Sequence, residues 1–398
     1  MKTRILTGLT AALHTVAQKQ QIDPNQLAQT PELGRSKNPA HGDYTTNVAM
    51  QHAKTLGMNP RQLAESLIAA LPEIPGVAAL EIAGPGFINI RLESGSDSAV
   101  LADIVREGDA FGRHTAEHPQ KILLEYVSAN PTGPLHVGHG RGAAYGATLA
   151  NILRANGHHV ESEYYVNDAG RQMDILALSA WLRYLELCGE QVAFPPNAYQ
   201  GDYVRAMATA MKQTRGEALL HKAADVLADT PGLPEAGGSD DEAKQQHEAY
   251  LDALIANAKR LLGEEWQYVH NYVLTEQLDD CREDLAEFGV HYEVWFSEKA
   301  LFDAGLVERC VARLEAAGHI YLKNSAKWFR STAFGDEKDR VVQRDNGLYT
   351  YFASDIAYHL NKYERGFDRM INIWGADHHG YVARVKAAIA ALGDDPER

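Results

Sequence analysis

The chain is poor in cysteine, with only Cys188, Cys281 and Cys310 among 398 residues, widely spaced and odd in number. That excludes a disulfide framework and a Cys-rich zinc site, and makes a reduced cytoplasmic setting the expectation. It has no run of eighteen apolar residues, so no membrane span and no membrane partner is expected. The first nine residues, interrupted by Lys2, Arg4 and Thr7, are too short and broken for a secretory leader. Positive charge is scarce, 38 Lys/Arg against 53 Asp/Glu, for a net charge of −15. Phosphate contact is mainly electrostatic, so this total by itself argues against nucleic acid. The deficit is uneven: residues 1–115 hold ten Lys/Arg and eleven Asp/Glu, whereas the remaining 283 hold 28 and 42. The early part is near neutral, which leaves RNA binding open there. No internal repeat is present.

What the chain does contain is enough apolar residue, 45%, for a sizeable core, and enough length for two or three domains. Apolar spacing predicts helices over 3–19, 45–57 and 60–71, strands at 79–82 and 86–92 joined by Gly84 and Pro85, and a helix over 96–108. Residues 1–112 thus read as a small α+β domain, and 114–120 as a linker. From residue 122 strands and helices alternate: strand 122–127, helix 137–156, strand 159–166, helix 170–188, helix 298–317, strand 319–322, helix 351–365, strand 370–374 and helix 380–392. Alternation of this kind implies an α/β fold with a Rossmann-type parallel sheet over 113–398, whose ligands sit at the carboxyl ends of the strands. Residues 190–270 break the pattern. Pro195-Pro196, the run Thr230-Pro231-Gly232-Leu233-Pro234 and the polar stretch 237–248 mark an acidic helical insertion, read as a solvated insert.

The densest signal is Ser128-Ala129-Asn130-Pro131-Thr132-Gly133-Pro134-Leu135-His136-Val137-Gly138-His139-Gly140-Arg141, between an apolar strand and a helix rich in small residues. A helix start offers free N–H groups and the positive end of the dipole. Gly138 lets a ligand approach backbone that a Cβ would cover. Two imidazoles can donate to phosphate oxygens as a transition state forms. His136 and His139 would also suit a helix cap, or a structural zinc completed by His158-His159 and His378-His379; the flanking glycines favour phosphate, and no metal site is assigned. Gly138, Gly140 and Gly142, with Glu161 and Glu163 about twenty residues on, imitate an NAD fingerprint. Residues 128–135 separate those glycines from the strand, however, and Ala143 stands where the third glycine belongs.

Two further runs carry chemistry. In Tyr349-Thr350-Tyr351-Phe352-Ala353-Ser354-Asp355-Ile356-Ala357-Tyr358 a helix would place Tyr351, Asp355 and Tyr358 on one side. Asp355 is either an acid near a helix start beside a core tyrosine, or one wall of a cation pocket; both readings stay open at this point. Glu125, inside a buried-looking strand, is a second carboxylate without an evident partner, and two converging carboxylates match the planar fork of a guanidinium. Ile373-Trp374-Gly375-Ala376-Asp377-His378-His379-Gly380-Tyr381 is a strand, a glycine-bounded turn and a helix. Locally it reads as a capped turn; functionally, Gly375 and Asp377 would supply a second nucleotide contact.

His136-Val137-Gly138-His139 resembles the HIGH signature of class I aminoacyl-tRNA synthetases, and with Glu125 and Asn130 before it the run looks like the arginyl-tRNA synthetase family. Val294-Trp295-Phe296-Ser297-Glu298, and Trp328 to Asp339, resemble the same family's catalytic core. His41-Gly42-Asp43-Tyr44 with Asn47, and Gly84-Pro85-Gly86-Phe87-Ile88-Asn89, are similar to its additional N-terminal domain. The resemblance spans nearly the whole chain except 190–270. It implies ATP-dependent joining of L-arginine to tRNA(Arg) through an arginyl-adenylate, with Mg²⁺ on the phosphates and a monomeric protein. It implies that His136, Gly138 and His139 bind ATP, His136 and His139 steadying the α-phosphate. Gly375, Asp377 and His378 would flank the adenosine, and Glu125, Tyr351 and Asp355 would hold the guanidinium. Ser128 and Asn130 would meet the α-amino end, with His136 and His378 near the amino acid, and the N-terminal domain would touch the outer corner of the tRNA.

The family pattern also includes a mobile KMSK-like loop after the Gly375 strand and a helical anticodon-binding domain, and residues up to Arg398 contain neither. Lys323-Asn324-Ser325-Ala326-Lys327 resembles that loop faintly but precedes the Tyr351 helix. No lysine lies between Ile122 and His136, where some relatives place a compensating one. The expectation is a chain that binds arginine with impaired catalysis. The alternatives are a short paralogue acting as a non-catalytic arginine- or tRNA-binding module, and an NAD-dependent oxidoreductase.

Overall fold

The computed structural model describes residues 1–398 apart from 25, 26, 28–30, 37 and 234–239, and apart from the side chains of 96–99 and 377. Pro234 and the first residues of the predicted polar stretch 237–248 therefore lie outside the described residues. The chain divides into two compact units, Met1–Gly112 and Arg113–Arg398.

The first unit contains, in chain order, α1 (Lys2–Lys19), β1 (Gly34–Arg35), β2 (Tyr44–Thr46), α2 (Val48–His52), α3 (Pro60–Ala70), β3 (Val77–Ala83), β4 (Phe87–Leu92) and α4 (Ser96–Glu107). Helix α1 buries Ile5, Leu9, Ala12, Leu13 and Val16, a single stripe at helical spacing. That stripe packs with Leu63 and Leu67 of α3 and with Ile88 and Ile90 of the antiparallel sheet β1-β2-β4-β3. The predicted helix 45–57 is shorter than its apolar spacing implied. Residues 44–46 pair with Ile88–Ile90 as strand β2, and the Thr46 hydroxyl accepts the Val48 N–H at 3.2 Å, so the helix begins only at Val48. Two adjacent threonines prefer the pleated conformation to a helix. Gly42, at φ +86°, passes so close to β4 that a Cβ would lie 2.6 Å from the Ile90 carbonyl oxygen.

The second unit runs β5 (Lys121–Glu125), α5 (Val137–Ala155), β6 (His159–Val166), α6 (Arg171–Leu187), α7 (Asp202–Arg215), α8 (Ala223–Val226), α9 (Asp240–Leu262), α10 (Glu265–Glu287), β7 (Val294–Ser297), α11 (Glu298–Asp303), α12 (Leu306–Ala316), β8 (Ile320–Lys323), β9 (Ala326–Phe329), β10 (Arg340–Gln343), α13 (Tyr351–Glu364), β11 (Arg369–Asn372) and α14 (His379–Ala391). Its centre is a parallel sheet of order β11-β5-β6-β7. From β5 the chain steps one way to β6, while β11 returns on the other side. The carboxyl ends of β5 and β11 therefore flank a topological switch point, the usual crevice for ligands in such sheets. One face packs Tyr126 and Tyr164 toward α5, whose Gly146 lies against the Tyr126 ring. The other face presents Asn372, Glu125 and Glu163 in one register row, met by Lys362, Tyr358 and Arg365 from α13 and the turn after it.

Three sequence expectations need correcting here. The predicted strand 319–322 does not join the parallel sheet. Asn324 (φ 52°) and Ser325 (φ 61°) form a two-residue turn that folds β8 onto β9, giving a separate antiparallel sheet β10-β9-β8. The predicted helix 298–317 is broken at Gly305, which takes φ +65° and opens α12. The 190–270 insert is helical as expected but not merely solvated. Val204, Met207, Met211, Leu251 and Leu254 close a core around Trp181 of α6, and α10 continues it through Trp266 and Val269. Among the described residues, no helix is long and apolar enough to cross a membrane.

Candidate active site

The site begins where β5 ends. Val127 and Ser128 both take left-handed backbone angles, φ 69° and 46°. A β-branched residue there is strained, and such strain persists only when the surroundings impose it. They do. The Tyr292 hydroxyl donates to the Tyr126 carbonyl at 3.1 Å, that of Tyr164 to Ala129 at 3.0 Å, and that of Tyr203 to Thr132 at 2.6 Å. Asn167 donates to the Asn130 side chain at 3.2 Å. The Ser128 hydroxyl donates to Glu125 Oε1 at 3.0 Å and accepts the Tyr165 N–H at 3.1 Å. The loop is thus stitched at five points before it turns into α5.

Helix α5 starts with a capping box built from histidines. His136 Nδ1 accepts the Gly138 N–H at 3.1 Å, and His139 Nδ1 accepts the His136 N–H at 3.3 Å. The rings stack with centroids 3.7 Å apart. This fixes their tautomers. A Nδ1 that accepts leaves the proton of a neutral imidazole on Nε2, so each ring presents Nε2–H as a donor. Burial and the neighbouring His136 hold His139 below its ordinary pKa, which keeps it neutral. A Cβ at Gly138 would lie 2.9 Å from the His136 ring, so glycine is needed for the cap as well as for a ligand's approach. The result is a positive helix end with two outward N–H groups, suited to an anion.

A cleft of about 770 Å³ lies over these groups, lined by His136, Gly138, His139 and Asn130 on one side and by Trp374, Gly375 and His378 on the other. A second cavity of about 360 Å³ adjoins it; Val127, Ser128, Ile373, Trp374, Gly375 and His378 line both. Its inner wall is Glu125, Tyr165, Asp355, Tyr358, His359 and Tyr381. Burial pushes the Asp355 carboxyl up to about 7, and Glu298 and Glu125 add to the shift against a bond from the Tyr381 hydroxyl. Burial also raises Glu298, which accepts from Ser354 at 2.7 Å. Burial pushes Glu125 up as well, but Lys362, His359 and Ser128 outweigh it and hold this carboxyl below its ordinary value. Two acids, Glu125 and Asp355, wall this pocket, and Glu298 borders the neighbouring cavity, so the pocket favours a bound cation.

Most of the residues predicted from sequence converge here: Glu125, Ser128, Asn130, His136, Gly138, His139, Asp355, Gly375 and His378. Tyr351 does not line this pocket. It is 55% exposed and borders a neighbouring cavity with Gly170, Glu298 and Ser354. The side chain of Asp377 lies outside the described part; its backbone forms a short 3₁₀ turn, Ala376–His378. Sequence reasoning assigned no role to Glu298, Tyr165, Tyr381, His359 or Lys362. A signal existed for two of them, because His359 and Lys362 follow Asp355 at spacings of four and seven on an otherwise apolar helix. The zinc and NAD alternatives lose their residues. His158 Nδ1 accepts the Gln120 N–H, and no three His, Cys, Asp or Glu side chains gather as a metal site among the described residues. Glu161 and Glu163 are bound to Arg365 on the sheet face opposite α5.

Residues 3–92 match the family model for the arginyl tRNA synthetase N-terminal domain, and residues 101–195 match that for the class I (R) tRNA synthetase catalytic domain. The chain is 61% identical over 398 residues to the arginine–tRNA ligase of Dechloromonas aromatica (strain RCB), covering 100% of this chain and 67% of that protein. It is 60% identical over 399 residues to the arginine–tRNA ligase of Aromatoleum aromaticum, with the same coverage. The solved Thermus thermophilus arginyl-tRNA synthetase shares the fold, with a TM-score of 0.59 at 22% identity over 98% of this chain and 63% of that one. The chain spans about two thirds of the length of these curated relatives.

Proposed function

The chain belongs to the arginyl-tRNA synthetase family, and we propose that its second unit binds L-arginine beside ATP and joins them as arginyl-adenylate for transfer to tRNA(Arg), as a cytoplasmic monomer. One observation carries this reading: the acid pocket around Asp355 opens, through Trp374 and Gly375, directly into the cleft headed by His136 and His139. A cation held in the pocket would place its far end at a phosphate held in the cleft.

Arginine's guanidinium would pair with Asp355 and Glu125, while Tyr351 would approach it only from the neighbouring cavity that it borders with Glu298. Its α-amino end would meet Ser128 and Asn130, near His136 and His378. A carboxylate oxygen of arginine then attacks the α-phosphorus of ATP, and the bond to pyrophosphate breaks. The two Nε2–H donors and the α5 amides would take up charge growing on the phosphate oxygens, and Gly138 would let them approach. Gly375, Asp377 and His378 would flank the adenosine. Mg²⁺ would fit this site only through the nucleotide's own phosphates, since no three acidic or histidine side chains are arranged to hold a metal ion among the described residues. The first unit would contact the outer corner of the tRNA.

Lysine cannot offer a planar fork to two carboxylates, and citrulline carries no charge, so both serve as controls. Titration calorimetry is expected to show arginine binding, with lysine and citrulline at least tenfold weaker. Asp355→Ala should abolish arginine binding and leave ATP binding intact. Equal affinity for lysine, or unchanged arginine affinity in Asp355→Ala, overturns the assignment.

A further inference from the structure

Lys362 has no exposed side-chain surface. Its Nζ donates to Glu125 Oε2 at 2.6 Å and to Asn372 Oδ1 at 2.7 Å, and lies 4.1 Å from the Tyr358 ring centroid. Glu125 and Asn372 are register partners on β5 and β11, so one ammonium clamps the two strands that flank the switch point. Bonds continue from both ends of this clamp. Ser128 donates to the other oxygen of Glu125 at 3.0 Å. Asn372 Nδ2 meets His359 Nε2 at 3.0 Å, and His359 Nδ1 meets the Asp355 carbonyl at 2.8 Å. The carbonyl requires a proton on Nδ1, which leaves Nε2 to accept from the amide. Every link in the chain therefore has one donor and one acceptor. Burial, with Lys362 adding to it, pushes His359 down to about 4, so this ring is neutral as the chain requires.

Lys362 lines neither the cleft nor the pocket, yet it touches the carboxylate that walls the pocket. A buried ion pair is costly, and a well-packed apolar replacement often serves stability equally well. Packing alone does not account for a lysine here. We propose that Lys362 is a positioning residue for amino-acid recognition: its ammonium, anchored by Asn372, keeps Glu125 ionised and aimed into the arginine pocket. This rests on the arginine reading above. The titratable groups around Glu125 are Lys362, His359, Asp355 and Tyr358 from α13, Glu163 and Tyr165 from β6, and Tyr292 from the segment before β7. Lys362 is the cation bonded to Glu125, while the neighbouring Arg365 is paired with Glu161 and Glu163.

The test uses the full chain and two variants, Lys362→Met and the charge-balanced double variant Lys362→Met with Glu125→Gln. Melting temperature and arginine affinity from pH 6 to 9 are measured for each. In Lys362→Met arginine binding should weaken by about tenfold or more, and its pH midpoint should move upward as the unpaired Glu125 holds a proton. The double variant buries no unpaired charge, so its melting temperature should return close to that of the parent. Its arginine affinity should stay about tenfold weaker. Should the single variant fail to fold, Lys362→Arg, which keeps a buried cation but not the compact ammonium, takes its place: weakened arginine binding is expected, and an affinity and pH midpoint equal to the parent's would overturn the role. Arginine affinity within threefold of the parent in the double variant, with an unchanged pH profile, would overturn the role and leave only a structural ion pair. A parent chain that binds no arginine at any pH instead refutes the arginine reading itself, and this role with it.

Discussion

Arginine affinity should depend on pH through Asp355. In the free protein its carboxyl is raised to about 7, by burial first and then by Glu298 and Glu125. A guanidinium pairs with a carboxylate, not with a carboxylic acid, so below pH 7 binding must expel a proton. The apparent dissociation constant is then multiplied by one plus the ratio of protonated to ionised Asp355, about elevenfold at pH 6, twofold at pH 7 and 1.1-fold at pH 8. Affinity should therefore rise about tenfold, near 1.4 kcal/mol, between pH 6 and 8. Titration calorimetry in two buffers of different ionisation enthalpy should report release of about 0.9 proton at pH 6 and about 0.1 at pH 8. The free protein should show the opposite trend in stability. Between the ordinary Asp value and about 7 the folded chain holds a proton that the unfolded chain has lost, so stability falls as pH rises through that window. Asp355→Asn removes this term and should raise the melting temperature at pH 8 but not at pH 4, by an amount on the order of 2–4 kcal/mol in unfolding free energy. Arginine affinity that is flat from pH 6 to 8, with no proton released, refutes the reasoning.

Three more expectations rest on separate parts of the molecule. Gly146→Ala would put a Cβ 2.2 Å from the buried Tyr126 ring and should cost about 2–3 kcal/mol in urea unfolding, whereas Gly142→Ala, whose Cβ would meet only Val127 at 4.0 Å, should be tolerated; equal stability of the two variants contradicts the packing of α5 on the sheet. His139→Ala loses a capping acceptor and an Nε2–H donor, so the melting temperature should fall by the equivalent of about 1 kcal/mol and ATP should bind about tenfold more weakly, with arginine binding kept; unchanged ATP affinity by equilibrium dialysis counts against the phosphate role. Asp336 is held at about 2 chiefly by its two bonds from Arg340, so its stabilisation is complete above the ordinary carboxylate range and is lost as pH falls through about 2; an acid unfolding curve for Asp336→Asn should be flatter there, and an identical curve shows that the pair adds nothing to stability.

Much of the site was legible in the chain because its signals are local. A strand, a turn with Gly138 and two histidines three apart specify a helix start that collects an anion, and those features need only neighbours within one turn. Asp355 on an apolar helix and Glu125 in an apolar strand were visible as acids in want of partners. The partners were not visible. Lys362 reaches Glu125 across 237 positions of chain, and Tyr381 reaches Asp355 across 26, so only packing of α13 between the sheet and α14 makes those pairs. The same holds for strands: 319–322 has the apolar content of a parallel strand, yet the Asn324-Ser325 turn sends it into a hairpin.

The amino-acid order alone determined the helix caps, the alternation of strands and helices that makes the parallel sheet, and the placing of His136 and Gly375 at strand ends. Tertiary structure decided which of three buried acids is free to titrate. Charge in a protein interior is governed by what lies within a few ångströms in space. Lys362 lies that close to Glu125 and lowers it, whereas Asp355, whose nearest charged neighbours include two acids, is raised.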